Sequence, residues 1–184
     1  MKKFFSLILM ATALISCGVA NQSSTAGKSI PTTFFHCTFG GKQYMVSKTM
    51  SRQGFYQDWY YNSYKALAPL GKRKIKSIDT YQRISYGGYT WNNVSFLYDY
   101  RDRFFCIAFS QEFANEDAAV ARYKEIKNTL DEKYGSSQKT QHGVLYGNPQ
   151  GKCIQLALNG TFCILYYLDE KIYQASTVAA INEL

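Results

Sequence analysis

Residues 152–169 read KCIQLALNGTFCILYYLD, two runs of strand-forming residues separated by Asn159 and Gly160. An Asn-Gly pair between apolar runs is the strongest short-range signal for a β-hairpin with a two-residue turn. The whole chain contains sixteen Tyr and twelve Phe, and such rings pack well on a pleated surface. This stretch therefore predicts a hairpin with strands at residues 152–158 and 161–168.

Other strands are predicted from shorter runs that are bounded by turn residues. The first of these, FFHCTF, places Phe35, Cys37 and Phe39 on one face because side chains alternate along a strand. The Gly87-Gly88 pair predicts a turn or a bulge, and residues 99–102 predict a second turn. The predicted strands cover residues 34–39, 83–86, 91–98, 103–113 and 144–146.

Three segments have the spacing and end signals of helices. Residues 43–53 form a weakly amphipathic stretch that Gly54 closes. Asn115 is a suitable N-cap for the clearest helix, which Gly135 ends. A third helix is predicted to begin at Asp169. The apolar stripe of the second helix comprises Ala119, Tyr123, Ile126, Leu130 and Tyr134.

Strands joined by tight turns and interrupted by helices are typical of an α+β domain. We expect an antiparallel β-sheet packed on one side by two or three helices. A helix followed by strands occurs twice, which fits a duplicated helix-plus-strands unit, although no repeat of individual residues supports it. With 46% hydrophobic and 18% charged residues, the composition is that of one globular domain, here residues 31–184.

The first 16 residues have the features of a signal peptide. Lys2 and Lys3 precede an apolar run, residues 4–15, that is too short to cross a bilayer about 30 Å thick. The run ends in Leu-Ile-Ser-Cys17, which has the pattern of a lipobox, so Cys17 is expected to carry a lipid. The alternative is ordinary cleavage after Ala20.

Residues 17–30 are then the lipidated cysteine and a polar tether. Acyl chains on Cys17 would hold the domain stably at a membrane, and Cys17→Ala is expected to release it. No acidic run follows Cys17, so the expected location is the outer membrane on its periplasmic side. A formal net charge of +8, two units of it from the leader, would suit anionic lipid or acidic glycan, whereas an envelope protein is not expected to bind nucleic acid.

The segment from Phe55 to Lys76 is the best candidate for a binding site, because it is dense first in aromatic and then in basic residues. Exposed Tyr and Trp are common at interfaces and also stack on sugars. The alternative is that these rings cover the sheet as core while the lysines solvate a loop. The candidate binding residues are Tyr56, Trp59, Tyr60, Tyr61, Tyr64, Lys72, Arg73 and Lys74.

Four cysteines follow the anchor, and an oxidising compartment would permit disulfides between them. In the predicted hairpin, Cys163 lies opposite Leu156 and Cys153 lies opposite Tyr166. These two thiols would then point to opposite faces, so we expect no bond between them. A bond between Cys37 and Cys106 stays open, with buried thiols as the alternative.

The residues offer little that would support catalysis. The two histidines, His36 and His142, lack a second ligand at a metal-binding spacing, so we expect neither a metal nor another cofactor. Asp99 and Asp102 lie in a turn, where Asp is common for local hydrogen bonding. A dyad of His142 with Cys37 or Cys153 is conceivable, and nothing favours it over buried thiols.

Several short motifs follow one another along the chain: Phe39-Gly40-Gly41, Gly54-Phe55, Gly88-Tyr89, Lys133-Tyr134-Gly135 and the tail from Ile154 to Leu184. Their order resembles that of an uncharacterised family of small secreted proteins of Bacteroides and relatives. The likeness covers most of the chain from Phe39 onward, although residues 55–76 depart from it. The succession of helix and strands is also similar to β-lactamase-inhibitor-protein domains, which would imply a binding module, although fold does not fix function.

These observations predict a non-catalytic cell-envelope lipoprotein that binds an unknown protein. A second hypothesis is a glycan-binding lipoprotein that uses the aromatic residues between Tyr56 and Tyr64. A third is a hydrolase with a Cys/His site, which would need a thiol within hydrogen-bonding reach of His142 in a cleft.

Overall fold

The structure is a computed structural model that describes residues 28–58, 67–70 and 75–175. Its helices are α1 (Gln43–Arg52) and α2 (Glu116–Tyr134), together with a 3₁₀ turn at Ala68–Leu70 and a closing helix described over residues 170–175. Its strands are β1 (Thr33–Phe34), β2 (Cys37–Thr38), β3 (Ser77–Tyr86), β4 (Tyr89–Tyr98), β5 (Phe104–Glu112), β6 (Gln138–Lys139), β7 (Gly143–Gly147), β8 (Lys152–Asn159) and β9 (Phe162–Asp169).

One antiparallel sheet of seven strands organises the fold, in the order β3-β4-β5-β9-β8-β7-β6. The α+β class is therefore confirmed. Helix α1 precedes the meander β3-β4-β5, and helix α2 precedes the meander β7-β8-β9, with the short β6 between them. The third strands of the two meanders, β5 and β9, pair antiparallel in the middle of the sheet. This arrangement is that of a duplicated helix-plus-strands unit.

The two faces of the sheet carry separate apolar layers. Helices α1 and α2 both cover the first face, where Met50 and Ile126 join sheet residues such as Phe109. The second face includes Phe105 and Ile164, and Leu70 of the 3₁₀ turn packs on it. The centre of the molecule is thus the sheet, and α1 lies over the half formed by β3, β4 and β5.

The helical signals in the sequence are confirmed. The Asn115 side chain accepts a hydrogen bond from the backbone N–H of Ala118 at 2.9 Å, and Asp169 accepts one from Ile172 at 3.2 Å. In the α2 stripe, Ala119, Ile126 and Leu130 are buried, whereas Tyr123 and Tyr134 are half-buried and pack against the core. The cap residue and the apolar period together define this helix.

The predicted register of the central hairpin is wrong by two residues. Cys163 pairs with Leu158 and Cys153 pairs with Leu168, because the turn is Gly160-Thr161 and not Asn159-Gly160. Gly160 has φ +59°, which suits a turn with glycine at its first central position. Because side chains alternate along a strand, a shift of two residues leaves each side chain on the same face of the sheet. The thiols of Cys153 and Cys163 therefore do lie in different apolar layers, on opposite faces. No disulfide joins Cys37 to Cys106 either, and these residues also belong to opposite layers.

Two predicted strands differ from those in the structure. Residues 34–39 do not form one strand, because Phe35 and His36 adopt left-handed φ values of 49° and 61° and turn the chain between β1 and β2. The Phe35 ring packs on Phe55 at 5.9 Å, so tertiary packing outweighs the strand propensity of this run. Strand β3 begins at Ser77 and not at Arg83. The sequence-based prediction missed its first half because residues 77–82 are mostly polar and lack an apolar alternation.

Candidate binding surface around helix α1

Helix α1 has one face in the core and one in solvent. Val46 and Met50 are buried beneath it, whereas Tyr44 and Met45 in its first turn are 69% and 49% exposed. Large apolar side chains at such exposure lose the hydrophobic stabilisation that burial would supply. The exposed side of α1 therefore presents apolar area that the fold itself does not use.

Two further exposed aromatic residues lie beside this helix. Tyr56 is 87% exposed and follows Phe55, whose backbone N–H donates to the Met50 carbonyl at 3.1 Å. Tyr100 is 45% exposed and belongs to the turn that joins β4 to β5. We call Tyr44, Met45, Tyr56 and Tyr100 the α1 surface. They are the large apolar side chains that are exposed in the described part of the chain.

The β4–β5 turn is bound to the start of α1, which brings Tyr100 to this surface. The backbone N–H of Gln43 donates to the Asp102 carbonyl at 3.0 Å. The Lys42 ammonium donates to the Arg101 carbonyl at 2.8 Å. Because these bonds join residues far apart in sequence, the exposed aromatic residues gather only in the folded chain.

A buried carboxylate, Asp79 of β3, holds the inner side of this region together. It is 2% exposed, and neutral side chains satisfy both of its oxygens. A carboxylate that accepts several hydrogen bonds can be buried at tolerable cost. The donors are Gln43 and Gln57 to Oδ1 at 2.9 Å each, Ser47 to Oδ2 at 2.7 Å and Tyr98 to Oδ2 at 3.0 Å.

The same carboxylate affects the neighbouring phenols. Burial, and then the Asp79 charge, raise the pKa of Tyr98 far above its usual range, so this hydroxyl stays a donor. Burial and Asp79 also raise the pKa of Tyr81 to about 12. These two phenols therefore keep their protons over the whole physiological pH range.

A cleft of about 780 Å³ opens above this network. Tyr44 and Lys42 line it, and its floor includes Gln43, Ser47 and Asp79. A second groove of about 370 Å³, lined by Tyr56, Asp58 and Gln82 among others, shares Gln57 with the cleft. Because Gln43 and Ser47 on the floor are hydrogen-bonded to Asp79, a partner would contact the side chains at the rim, such as Tyr44 and Lys42.

The rim of the α1 surface is basic. Lys42, Lys48, Arg52 and Arg101 are all exposed, whereas Asp102 is ion-paired with Lys76 at 2.9 Å. Lys and Arg side chains at this density create a positive local potential. A partner would therefore meet aromatic and thioether groups within a positively charged border.

Only one of the candidate binding residues predicted from the sequence can be placed. Tyr56 is exposed at the edge of the α1 surface. The other candidates, and the alternative that their rings are core, lie outside the described residues, as does Cys17. These are Trp59, Tyr60, Tyr61, Tyr64, Lys72, Arg73 and Lys74.

Two of the thiols, those of Cys37 and Cys163, lie in environments that suppress nucleophilicity. Burial raises the pKa of Cys37 to about 11 and that of Cys163 to about 12. Cys37 donates to the Phe35 carbonyl at 3.5 Å, while His142 is a half-buried residue between β6 and β7. The Asp99 carboxylate is occupied by local structural bonds. It accepts hydrogen bonds from the backbone N–H groups of Arg101 and Arg103 and forms an ion pair with the Arg103 guanidinium at 2.8 Å.

We expect iodoacetamide at about pH 8 to leave Cys37 and Cys163 unmodified in the native protein, because the thiolate is the reactive form and both thiols have raised pKa values. In urea without a reductant, Cys37, Cys106, Cys153 and Cys163 should all be alkylated, as mass spectrometry would show. Rapid modification of the native protein would contradict the burial. Unmodified cysteines in urea would reveal a disulfide.

Two further findings concern the described residues. No group of three His, Cys, Asp or Glu side chains among them could hold a metal ion. None of their helices has the length and apolarity to span a bilayer. The expectation that the protein needs no metal or other cofactor stays a prediction.

Sequence reasoning missed the polar network and most of the α1 surface. Asp79 stands in a polar run, SIDTYQR, that has no strand alternation, so nothing marked it as buried. Tyr44 and Met45 lie within two residues of Val46, which is core, and the sequence alone does not distinguish them from it. One sequence signal could have found them. Val46 and Met50 already form the apolar stripe of this helix, so the neighbouring Tyr44 and Met45 could be expected to point away from the core.

When the chain is compared with protein-family models, with curated proteins and with solved structures, no match is found.

Proposed function

We propose that this protein is a non-catalytic lipoprotein of the cell envelope that binds a protein partner through the α1 surface. One observation carries the proposal. Of the large apolar side chains that are exposed in the described part of the chain, Tyr44 and Met45 lie on α1, and Tyr56 and Tyr100 lie in segments that are hydrogen-bonded to α1 or to its N-cap Lys42. Clustered apolar exposure is the usual mark of an interaction site, whereas scattered single residues would need no explanation.

The composition of this surface favours a protein as the partner. Tyr, Met and Arg are enriched at the cores of protein interfaces, and Tyr44, Met45 and Arg101 are exposed together here. The Tyr side chain provides a large contact area with few rotatable bonds to immobilise. Met45 adds a flexible, polarisable side chain that adapts to the surface opposite.

The hydrogen bonds around Asp79 would hold the α1 surface in the conformation that binds the partner. Gln43 and Ser47 of α1 both donate to Asp79 of β3, so the helix is bound to the sheet at its first two turns. A surface held in its bound shape loses less entropy on association. The Asp79 network would therefore contribute to affinity indirectly, through the orientation of Tyr44.

The proposal places the domain at a membrane through a lipid on Cys17, with residues 18–30 as its tether. The outer membrane, on the side facing the periplasm, is the proposed location. The motif order that resembles small secreted proteins of Bacteroides supports an envelope role. Contact with a partner, and not turnover of a substrate, is the proposed activity because burial raises the pKa of the Cys37 and Cys163 thiols.

A second candidate partner is a glycan, and the groove beside Tyr56 favours it. Tyr56 is almost fully exposed next to Asp58 and Gln82, which are hydrogen-bonded to each other at 2.6 Å. An aromatic face beside carboxylate and amide groups can stack on a sugar ring and bond its hydroxyls. Binding of the full chain to a neutral glycan, lost in Tyr56→Ala alone, would favour this candidate.

The proposal is tested by photo-crosslinking in the native envelope. A photoreactive phenylalanine derivative replaces Tyr44 in the full chain, and a matched variant carries it at Lys124, an exposed position on α2. We expect a discrete crosslinked protein at Tyr44 and none at Lys124. Adding Met45→Ser and Tyr56→Ser should weaken the product severalfold because apolar contact area is removed.

A further inference from the structure

Residues 28–30, the first that the structure describes, lie at one end of the seven-stranded sheet. The Ile30 side chain packs so closely on the backbone of Gly147 that a Cβ at this glycine would clash with it. Gly147 is the last residue of β7 and pairs with Cys153, near the start of β8. We call this the tether end of the sheet, where β7 and β9 finish and β5 and β8 begin. The chain therefore enters the domain here from the lipid proposed at Cys17.

The tether end is basic, whereas the opposite end of the sheet is acidic. At the tether end, the fully exposed charged side chains of the described residues are all cations: Lys28, Lys42, Lys76, Arg101, Lys152 and Lys171. The carboxylates there are buried, apart from that of Asp102, which is ion-paired with Lys76. At the opposite end, the segment that leads from β5 into α2 carries exposed Glu112, Glu116 and Asp117. This separation of charge favours a negatively charged surface facing the tether end.

A groove of about 710 Å³ opens at the tether end, beside Ser29 and Ile30. Lys152 and Lys171 line it and are exposed. Two other charged residues in its walls have structural roles. Arg103 is ion-paired with Asp99 at 2.8 Å and donates to the Ile172 carbonyl at 2.9 Å, and the buried Asp169 accepts from the Ile172 backbone N–H. The two lysines therefore supply the charge that this groove presents to solvent.

We propose that the tether end faces the bilayer and that Lys28, Lys152 and Lys171 contact the phosphate groups of anionic phospholipids. This inference rests on the lipid proposed at Cys17. Residues 17–27 can span at most about 40 Å, so the anchor holds the domain close to the bilayer at a high effective concentration. Each cation near an anionic surface then favours the contact by about fivefold.

This orientation also restricts the protein partner of the α1 surface. Tyr100 and Arg101 lie in the turn between β4 and β5, at the tether end. A protein bound to them would itself lie close to the bilayer. The lysines of the lipid contact adjoin β8 and β9, whereas α1 covers the half of the sheet formed by β3, β4 and β5.

Fluorescence quenching of the acylated protein on lipid vesicles tests this orientation. Gln150→Cys allows a fluorophore to be attached in the turn between β7 and β8, and Ala114→Cys allows one at the opposite end, between β5 and α2. Both positions are exposed, while the four cysteines of the described chain are buried, so the label attaches to the introduced thiol. On vesicles of phosphatidylglycerol and phosphatidylcholine that contain a nitroxide-labelled lipid, we expect quenching several times stronger at Gln150 than at Ala114.

Charge variants assign the contact to the lysines. Lys152→Glu combined with Lys171→Glu should reduce quenching at Gln150 to the level at Ala114. Lys124→Glu combined with Lys139→Glu changes the net charge equally, at exposed positions away from the tether end, and should leave quenching near that of the parent. About 1 M salt should act like the first pair, because it shortens the Debye length to about 3 Å.

The proposal is overturned if the two label positions are quenched equally, or if quenching is the same on pure phosphatidylcholine as on the anionic vesicles. It is also overturned if both pairs of charge variants lose quenching alike, since net charge and not this surface would then be responsible. Absence of the protein from vesicles of either composition would refute the anchor at Cys17 as well. Crosslinking at Tyr44 tests the protein-binding surface independently of these outcomes.

Discussion

Replacing Phe109 by alanine is expected to lower the free energy of unfolding by about 4 kcal/mol, a large loss for a single substitution. Phe109 lies on the central strand β5 and is fully buried. Its ring stacks on Tyr86 at 4.4 Å, so truncation would remove the middle of an aromatic cluster and leave a cavity. The other rings around it are those of Phe34, Phe35, Trp91 and Tyr167.

Urea unfolding followed by circular dichroism measures this loss. A domain of ordinary stability, about 5–15 kcal/mol, would remain folded but with a much lower midpoint. Phe109→Leu is the matched control, and it should lose about 1.5 kcal/mol because most of the volume is kept. A loss below about 1 kcal/mol for the alanine variant would mean that Phe109 is not at the centre of the packing.

The second large effect is expected at Asp79. Asp79→Ala should destabilise the protein by about 3 kcal/mol, because buried donors that lose a charged acceptor are left unsatisfied. The Tyr98 hydroxyl is the most affected, since it is fully buried and its pKa is raised by burial. Gln43 and Ser47 would also lose their bonds to Asp79, so the hydrogen-exchange protection of α1 should fall more than that of α2.

Asp102→Asn is the control for Asp79, because Asp102 has a left-handed φ of 57° that Asn tolerates and Ala does not. Its carboxylate forms an ion pair with Lys76 at 2.9 Å, but both side chains are 44% exposed. Solvent-exposed pairs contribute roughly 0–1 kcal/mol, so this variant should be close to the parent. Equal destabilisation by the two substitutions, or unchanged protection of α1 in Asp79→Ala, would contradict the role given to the network.

The elements with strong local signals could be predicted from the sequence. Helix α2 has an N-cap, an apolar period and a terminal glycine, and all three act within one segment. The hairpin of β8 and β9 was also predictable, but its register was not. Both Asn159-Gly160 and Gly160-Thr161 can form a two-residue turn, and the choice depends on how β9 pairs with β5 on its other side.

The candidate site was less predictable, because its parts meet only through tertiary contacts. Tyr100 reaches the α1 surface because Gln43 and Lys42 bond the β4–β5 turn. Asp79 is buried by donors from α1, from Gln57 and from β4. Composition identified Tyr56 as a binding candidate, yet nothing local indicated that Tyr44 and Met45 would be exposed to solvent.

The measurement that tests the central claim most directly is the crosslinking yield at Tyr44 relative to Lys124, in intact cells that express the full chain. A binding protein that uses the α1 surface predicts a single dominant adduct at Tyr44, identifiable by mass spectrometry, and background yield at Lys124. Equal yields at the two positions, or adducts with many unrelated proteins at both, would contradict the assignment of contact to this surface.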